Sequence, residues 1–547
     1  MRVFILALLV VILIALGAAP AASQEGRGLV QFIADGIPLT LQDHVVPRLY
    51  RLDPVTGVLE GAAPDNFALV VDAASTAERE QTLVLREDLL WSDGLAVNAY
   101  DVAYSLITDS QPSSRITALA IVDEHTLMLG YAAPDCSNAA RSNIYVRTYR
   151  STFPRFEAFA REFSAQNPEL TPITSWKEAL TAARLPFEGP QEAYYLNGGL
   201  QILMPERSGE NARLLNDDFA VLMLANRSGI SSTQRFLNGD TNLLIAPPFD
   251  RRADLLTRDD AQIYNAPGWT TDYLVFNVAS STTPRSAFTA KGELLDQGQN
   301  PFFSDKRLRQ AVQLAIDVES IIEVVFAGQA TPLAGTLPLV SWGYNPAVQP
   351  PAYDPGAAER VLDEAGWVDT DGDGIRNCYR CTSATVGTTL FLDFVVDPDN
   401  ERSRAADMIS TQLRRVGIGA SPVGSEPTSQ RFDLYLGSFN SRSDYALDPD
   451  QSALFTRAGD VLGEAGNIGS YHNPALEDLL TQARTVPGCD VTERAALYQQ
   501  AQELLAEDLP MWALYSRHDM YLARGIDGFA PQPGNPFWNL MNWRVTS

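Results

Sequence analysis

The chain has 547 residues, 45% hydrophobic and 20% charged, the balance of a globular protein and not of a disordered or fibrous one. That length exceeds one ordinary core and predicts two or more lobes. A formal net charge of −26 at pH 7 argues against nucleic acid or an anionic membrane surface as partner, since both need a basic footprint.

Arg2 is a minimal positive start, Val3 to Leu16 is unbroken apolar sequence, and Gly17-Ala18-Ala19-Pro20-Ala21-Ala22-Ser23 supplies small residues for cleavage. Residues 1–23 therefore read as an export signal. Val3 to Ala22 is also just long enough to span a bilayer, so an uncleaved anchor is the competing reading. Both put the chain in the periplasm or on the outer face of the cytoplasmic membrane. No Cys precedes Cys136, so a lipid-modified N-terminal Cys is not expected.

From Gly28 to about Thr271 strand-like runs alternate with helical ones. Gln81 to Arg86 reads as a strand and Asp93-Gly94 as a tight turn. Asn98 caps a helix through Val102 and Leu106, with Asp101 in the first turn, where a carboxylate suits the helix dipole. Leu243 to Ala246 is strand-like. Ser304 or Asp305 caps a further helix whose Leu308, Ala311, Val312 and Ala315 recur at the spacing of a buried stripe. Asp317 opens the next, with Ile321, Ile322, Val325 and Phe326 apolar and Gly328 as its stop. Asp354-Pro355, the stripe Ala405, Met408, Ile409, Leu413 and Val416, and Asn473-Pro474 mark three more helices, the first two closed by Gly366 and Gly417. Apolar runs at Leu390 to Val396 and Phe432 to Leu436 lie between them. This alternation predicts an α/β layer with a mixed or parallel sheet.

Asp369-Thr370-Asp371-Gly372-Asp373-Gly374 has the acidic alternation and sixth-position Gly that open a calcium loop, but Arg380 stands where a bidentate Glu belongs. A structural Ca²⁺ on Asp369, Asp371 and Asp373, or a plain polar turn, are the two readings. Export places the four cysteines in an oxidising compartment. Cys378 and Cys381 have no second Cys or His pair for zinc and do not open a helix as a redox motif would, so a local disulfide is expected. Cys136 and Cys489 pair with each other or stay single. The four histidines (His44, His125, His472, His518) form no H-E-x-x-H, and no G-x-S-x-G elbow exists. Asp448 and Asp450 are an acid pair of a kind common in so acidic a chain.

Several of these segments also match as words. Phe303 to Asp317 resembles D-x-R-V-R-x-A-hydrophobic-x-x-A-hydrophobic-D-R, and Leu85 to Val102 resembles L-R-x-x-hydrophobic-x-W/F-S/H-D-G-x-x-hydrophobic-T-A-x-D-V. Tyr273-Leu274-Val275-Phe276-Asn277 reads as Y-L-x-F-N, and Tyr353 to Trp367, Gln412 to Ile418 and Arg494 to Pro510 match three further blocks. In order and spacing they resemble the peptide/nickel-type solute-binding proteins of ABC importers (solute-binding protein family 5). The region from Phe153 to Arg227 departs, with Asn197-Gly198-Gly199-Leu200 in place of G-T-G-P-Y.

The resemblance implies an α/β, two-lobed periplasmic-binding-protein-like (Venus-flytrap) fold with large type II lobes and mixed sheets. Residues 24–272 plus 516–547 would form lobe I with an inserted subdomain, and 273–515 lobe II. It implies a monomeric binding protein and not an enzyme, requiring no cofactor, that closes on a peptide or other small-molecule ligand and delivers it to ABC permease subunits. Peptide-binding members pair an aspartate of D-Y-x-D/E-P with the ligand's amino group. Ser443 to Asp450 carries that pattern with one residue inserted, making Asp444 the amine partner, with a surface acidic turn as the alternative. Tyr445, Phe439, Arg442, Trp269, Tyr273 and Asn277 are the other ligand-binding candidates. A nickel chelate or oligosaccharide as ligand, a ligand-presenting sensor and, remotely, a secreted hydrolase are the alternatives.

Overall fold

The structure, a computed structural model, describes residues 28–33, 41, 44, 46–53, 59–63, 66–71, 79–91, 94–108, 116–138, 143, 146, 153–185, 201–203, 212–215, 219–224, 231–281, 284–295, 298–349, 352–425, 432–440, 448–461 and 466–546. Local signals account for most of its second half. Asp305 caps the helix Lys306–Ala315, its carboxylate accepting from the Arg307 N–H at 3.0 Å, and the four predicted stripe residues are buried. Each buried Leu or Val there contributes about 1.5–3 kcal/mol. Asp317 caps Val318–Phe326 by accepting from the Ser320 N–H at 3.0 Å. That helix stops one residue before the glycine signal: Ala327 itself takes the left-handed conformation, with Gly328 after it. Asp317→Ala is expected to cost about 1 kcal/mol through loss of that cap; an unchanged urea midpoint would show that the carboxylate contributes nothing.

Asp354, Asp399, Asn473 and Asp490 cap the helices Pro355–Glu364, Asn400–Arg415, Pro474–Arg484 and Val491–Asp508. Gly366, just after the first of these, has φ 86°, and a Cβ there would meet the Arg380 carbonyl carbon at 2.5 Å, so only glycine fits. These helices cover a mixed sheet ordered Leu243–Ile245, Met511–Ala523, Gln262–Phe276, Leu434–Asn440, Phe391–Val396, Gly419–Gly424, with Ala330–Pro332 also on Met511–Ala523. Phe391–Val396 runs parallel to both its neighbours, and the remaining pairs are antiparallel. One apolar cluster from Tyr273 to Tyr515, joined by Phe249, fills this lobe.

The other lobe is built on the sheet Gly28–Ile33, Phe219–Leu224, Ala212–Leu215, Gln201–Leu203, with Val30, Phe32, Val221, Phe537 and Trp543 in its core. A third unit has its own core, including Trp91, Val102, Phe156 and Trp176, between an antiparallel sheet (Glu80–Val84, Thr126–Tyr131, Ile116–Ile121, Thr171–Pro172) and three helices. In it Asn98 caps Ala99–Thr108 as expected, and Asp101 accepts from both the Asn98 N–H at 3.0 Å and the Trp91 indole N–H at 3.1 Å. The first-turn carboxylate thus also anchors the core tryptophan. Of the Asp93-Gly94 turn, Asp93 lies outside the described residues. Among the described residues no helix is long and apolar enough to cross a membrane.

Two strands serve more than one lobe. Gln262–Phe276 has 15 residues and Met511–Ala523 has 13, which makes them about 50 and 43 Å long. They pair from Gln262↔Ala523 to Pro267↔His518, lose register, and resume at Thr271↔Ser516. Pro267 has no N–H to give the ladder, which favours a break there. At Gly268 a Cβ would meet the Asp519 carboxylate at 2.7 Å. A side chain at 268 would have to displace that carboxylate, and the break separates strand ends packed with Leu244, Met520 and Ile263 from strand ends packed with Tyr273 and Tyr515.

Candidate ligand-binding cleft

Trp269 stands in the break of the two long strands, 3% exposed, and belongs to none of the four apolar clusters formed by the described residues. The neighbouring Thr270 and Thr271 pair with Asn440 and Phe439 at the end of Leu434–Asn440. Tyr273 and Asn277 lie farther along, inside lobe II. Burial pushes the Tyr273 hydroxyl far above its ordinary range, and its ring stands 6.5 Å from that of Tyr435. Asn277 has no exposed surface; its side-chain N–H donates to the Phe432 carbonyl at 2.8 Å and its oxygen accepts from the Ala279 N–H at 3.3 Å. Arg442, Asp444 and Tyr445 lie outside the described residues, as does the Phe439 side chain.

The flanks of that segment are pinned. Asn440 is held by its pairing with Thr270. On the far side Asp448 accepts from the Arg494 guanidinium at 2.7 Å and from the Tyr498 hydroxyl at 3.2 Å. Asp450 accepts from the Ser452 N–H at 3.0 Å and from the Ser452 hydroxyl. Burial, with Asp448 nearby, pushes the Asp450 carboxyl up. The two acids that a sequence reader would pair are thus each engaged by a separate partner of the local fold.

Directly after Asp450 a cavity of about 680 Å³ opens in lobe II, walled by Phe288, Asp450, Arg457, Gly459, Glu477 and Arg484 among others. The Arg457 guanidinium lies 4.0 Å from the Phe288 ring centroid and donates to the Gly292 carbonyl at 3.0 Å. Glu477 accepts from the Arg457 N–H at 2.7 Å and stands 3.2 Å from His472. A Cβ at Gly459 would sit 1.9 Å from the Ala453 carbonyl oxygen, so glycine is required for the wall to close up. The cavity therefore sets an apolar face beside two arginines and two acids, each acid already engaged by the local fold.

A second charged group binds the long strands to lobe II. Asp272, wholly buried, accepts from the Arg517 guanidinium at 2.7 Å, while Arg402 stands 3.7 Å away. Arg517 also donates to Asp399 at 3.0 Å, and Arg402 pairs with Asp397 at 3.0 Å. Burial drives the Asp272 carboxyl up and the two guanidinium groups draw it back; the charge-assisted bond from the Arg517 Nε–H at 2.7 Å compensates the carboxylate directly. The D-x-x-R spacing of Asp399 and Arg402 was the only trace of this group in the sequence, and it reads equally as a helix start.

Asp369, Asp371 and Asp373 do converge, with ligand atoms within 4.8 Å of one another, all exposed. Asp369 accepts from the Gly372 and Gly374 N–H groups at 2.7 and 3.0 Å, and Asp373 from Ile375 at 2.7 Å, so the carboxylates tie the turn itself. Cys378 is bonded to Cys381, and Cys136 to Cys489. His44 is buried with its Nε2 2.8 Å from the Phe537 carbonyl, and His518 Nε2 lies 2.8 Å from the Thr331 hydroxyl.

Residues 227–459 match the bacterial extracellular solute-binding proteins, family 5 (middle region). The oligopeptide-binding protein AppA of Bacillus subtilis is 26% identical over 258 residues, 45% of this chain and 45% of that protein, so the match spans under half of that relative. The periplasmic murein peptide-binding protein MppA of Escherichia coli is 23% identical over 516 residues, 90% of this chain and 88% of its own. In fold, AppA with a bound nonapeptide superposes with a TM-score of 0.62 at 18% identity, covering 95% of this chain and all of its own. NikZ of Campylobacter jejuni with Ni(L-His) superposes at 0.63 and 17%, covering 95% of this chain and 99% of its own. The fold is that of these periplasmic binding proteins.

Proposed function

We propose that this chain, which resembles the family-5 solute-binding proteins in sequence through its middle and in fold along nearly its whole length, is an exported solute-binding protein that takes a peptide between its lobes and delivers it to the permease subunits of an ABC importer. The observation that carries the reading is the pair of long strands whose register breaks after Pro267, between stretches that pack into different apolar clusters. Such a break localises bending, and a ligand touching both lobes favours the closed state. No bond is made or broken. The peptide class is supported by the names of AppA and MppA and by Asp444, whose place in the D-Y-x-D/E-P-like stretch suits an ammonium group. Tryptophan at 269 suits a peptide because it combines apolar area with a donor.

Calorimetric titration with di- to nonapeptides, free or N-acetylated at the amino end, tests this. Free-amine peptides are expected to bind, and Asp444→Asn to weaken them by at least tenfold, a loss of about 1.4 kcal/mol or more, while leaving acetylated peptides unaffected. Equal affinity of wild type and variant for free-amine peptides would sink the role of Asp444. Retention of a nickel chelate and of no peptide in native mass spectrometry would replace the peptide class with the ligand class of NikZ.

A further inference from the structure

The inserted subdomain and lobe II have separate apolar cores, yet one covalent bond joins them. Cys136 follows the subdomain strand Thr126–Tyr131, and Cys489 ends the short turn between the lobe II helices Pro474–Arg484 and Val491–Asp508. The bridge spans 353 residues of sequence, with the two Cα atoms 5.5 Å apart. The contact around it is built: the Cys136 N–H donates to the Arg484 carbonyl at 2.8 Å, and Asp135 faces the Arg484 guanidinium at 3.9 Å. Cys136, Asp135 and Cys489 are all buried. Arg484 also walls the cavity described above, so one residue of the contact around the bridge is shared with that cavity.

Its place relative to the hinge follows from the chain. Val491–Asp508 has 18 residues, about 27 Å of helix. The long strand Met511–Ala523 begins directly after its far end. The bridge therefore sits at the far end of that helix from the strand that carries the break at Ser516 to His518. A hinge rotation of ~15° moves any point by about a quarter of its distance from the axis, so a point ~20 Å out moves ~5 Å. A disulfide keeps its Cα atoms within about 4.4–6.8 Å of each other, so the bond and such a rotation are incompatible while the subdomain stays on lobe I.

We infer that the Cys136–Cys489 disulfide is a clasp between the inserted subdomain and lobe II that limits how far the cleft opens. With the bond intact the protein exchanges ligand through a restricted movement; with it cleaved the lobes swing freely about the two long strands. The inference rests on the two-lobed fold and the bond's position and is independent of which ligand is bound. Cleavage by a dithiol is balanced: the bridge takes two electrons and two protons to become two thiols, and the reductant closes to its own cyclic disulfide.

Small-angle X-ray scattering on the purified, ligand-free full chain tests it, before and after dithiothreitol and in a C136S/C489S variant whose folding is checked by circular dichroism. The reductant also cleaves Cys378–Cys381, so a C378S/C381S variant serves as control and should scatter like oxidised wild type. The expected result is a larger radius of gyration and a broader distance distribution in both the reduced protein and C136S/C489S. Superimposable curves for oxidised wild type and C136S/C489S overturn the clasp; should that variant not fold, superimposable curves for the control before and after reduction, with alkylation confirming two free thiols, do the same. A clasp that fails this test leaves the peptide titration untouched, and the reverse holds too.

Discussion

Arg517→Ala is expected to lower the stability of the fold by about 3–5 kcal/mol at pH 7. The reason is what remains. Asp272 has no exposed surface and holds its charge through one hydrogen bond from the Arg517 Nε–H at 2.7 Å. Without that bond its nearest cation is Arg402 at 3.7 Å, already shared with Asp397 at 3.0 Å and Asp399 at 3.7 Å. An uncompensated buried carboxylate takes up a proton instead. The folded variant would then bind a proton that the unfolded chain releases above a pH of about 4, so its stability falls as pH rises through that range. Arg517 also lies over the Phe326 ring, 5.2 Å from its centroid, so some packing is lost as well. Asp272→Asn with Arg517→Met should recover much of the loss, because replacing a buried pair by neutral groups is often near neutral. Urea unfolding of the single and double variants measures both; a loss below ~1 kcal/mol for Arg517→Ala alone would mean the pair does not carry the buried charge.

The second large effect is opposite in sign. Asp460→Asn is expected to stabilise the protein at pH 8 by about 2–3 kcal/mol and to leave it nearly unchanged at pH 4. Asp460 is 2% exposed, and burial pushes its carboxyl up to about 6, against the Ala287 N–H, the Ser470 hydroxyl and a small pull from His472. An acid raised in the folded state keeps a proton that the unfolded chain gives up from its ordinary value of 3.8 upward. Wild type therefore has its full share of stability below that value and loses it as pH climbs to about 6. Asparagine keeps the oxygen that accepts from Ala287 at 3.0 Å and from Ser470 at 3.2 Å, without the charge. Thermal melts from pH 4 to 8 read the difference; a gap between variant and wild type that does not widen with pH would show that Asp460 is charged in the fold at no cost.

These two acids also mark what a reader of the sequence misses. Asp305, Asp317, Asp354 and Asn473 could be named as caps because a cap and the N–H it satisfies lie two or three residues apart. Asp272 and Arg517 are 245 positions apart and meet through a β-pairing whose register breaks between them. Asp460 looked like any other acid in an acidic chain until Ala287 and Ser470 closed over it. The cleft divides the same way. Trp269 stands at the break of the long strands, whereas Tyr273 and Asn277, cleft candidates by the same word, lie in the packing beyond it. A strand places successive side chains on alternate faces, and sequence does not say which neighbour covers each face.

What the amino-acid sequence determined by itself was the class of fold and the run of elements, since stripes, caps and helix stops act over a few residues and recur as recognisable words. Only the tertiary structure decided which distant groups share an environment: the pairing of Cys136 with Cys489 across two cores, the guanidinium that compensates Asp272, and the cavity beside Asp450. The physical reason is range. Hydrogen bonds of caps and turns are set by adjacent backbone, whereas disulfides, buried ion pairs and cavities depend on distances that the chain acquires once its lobes have packed.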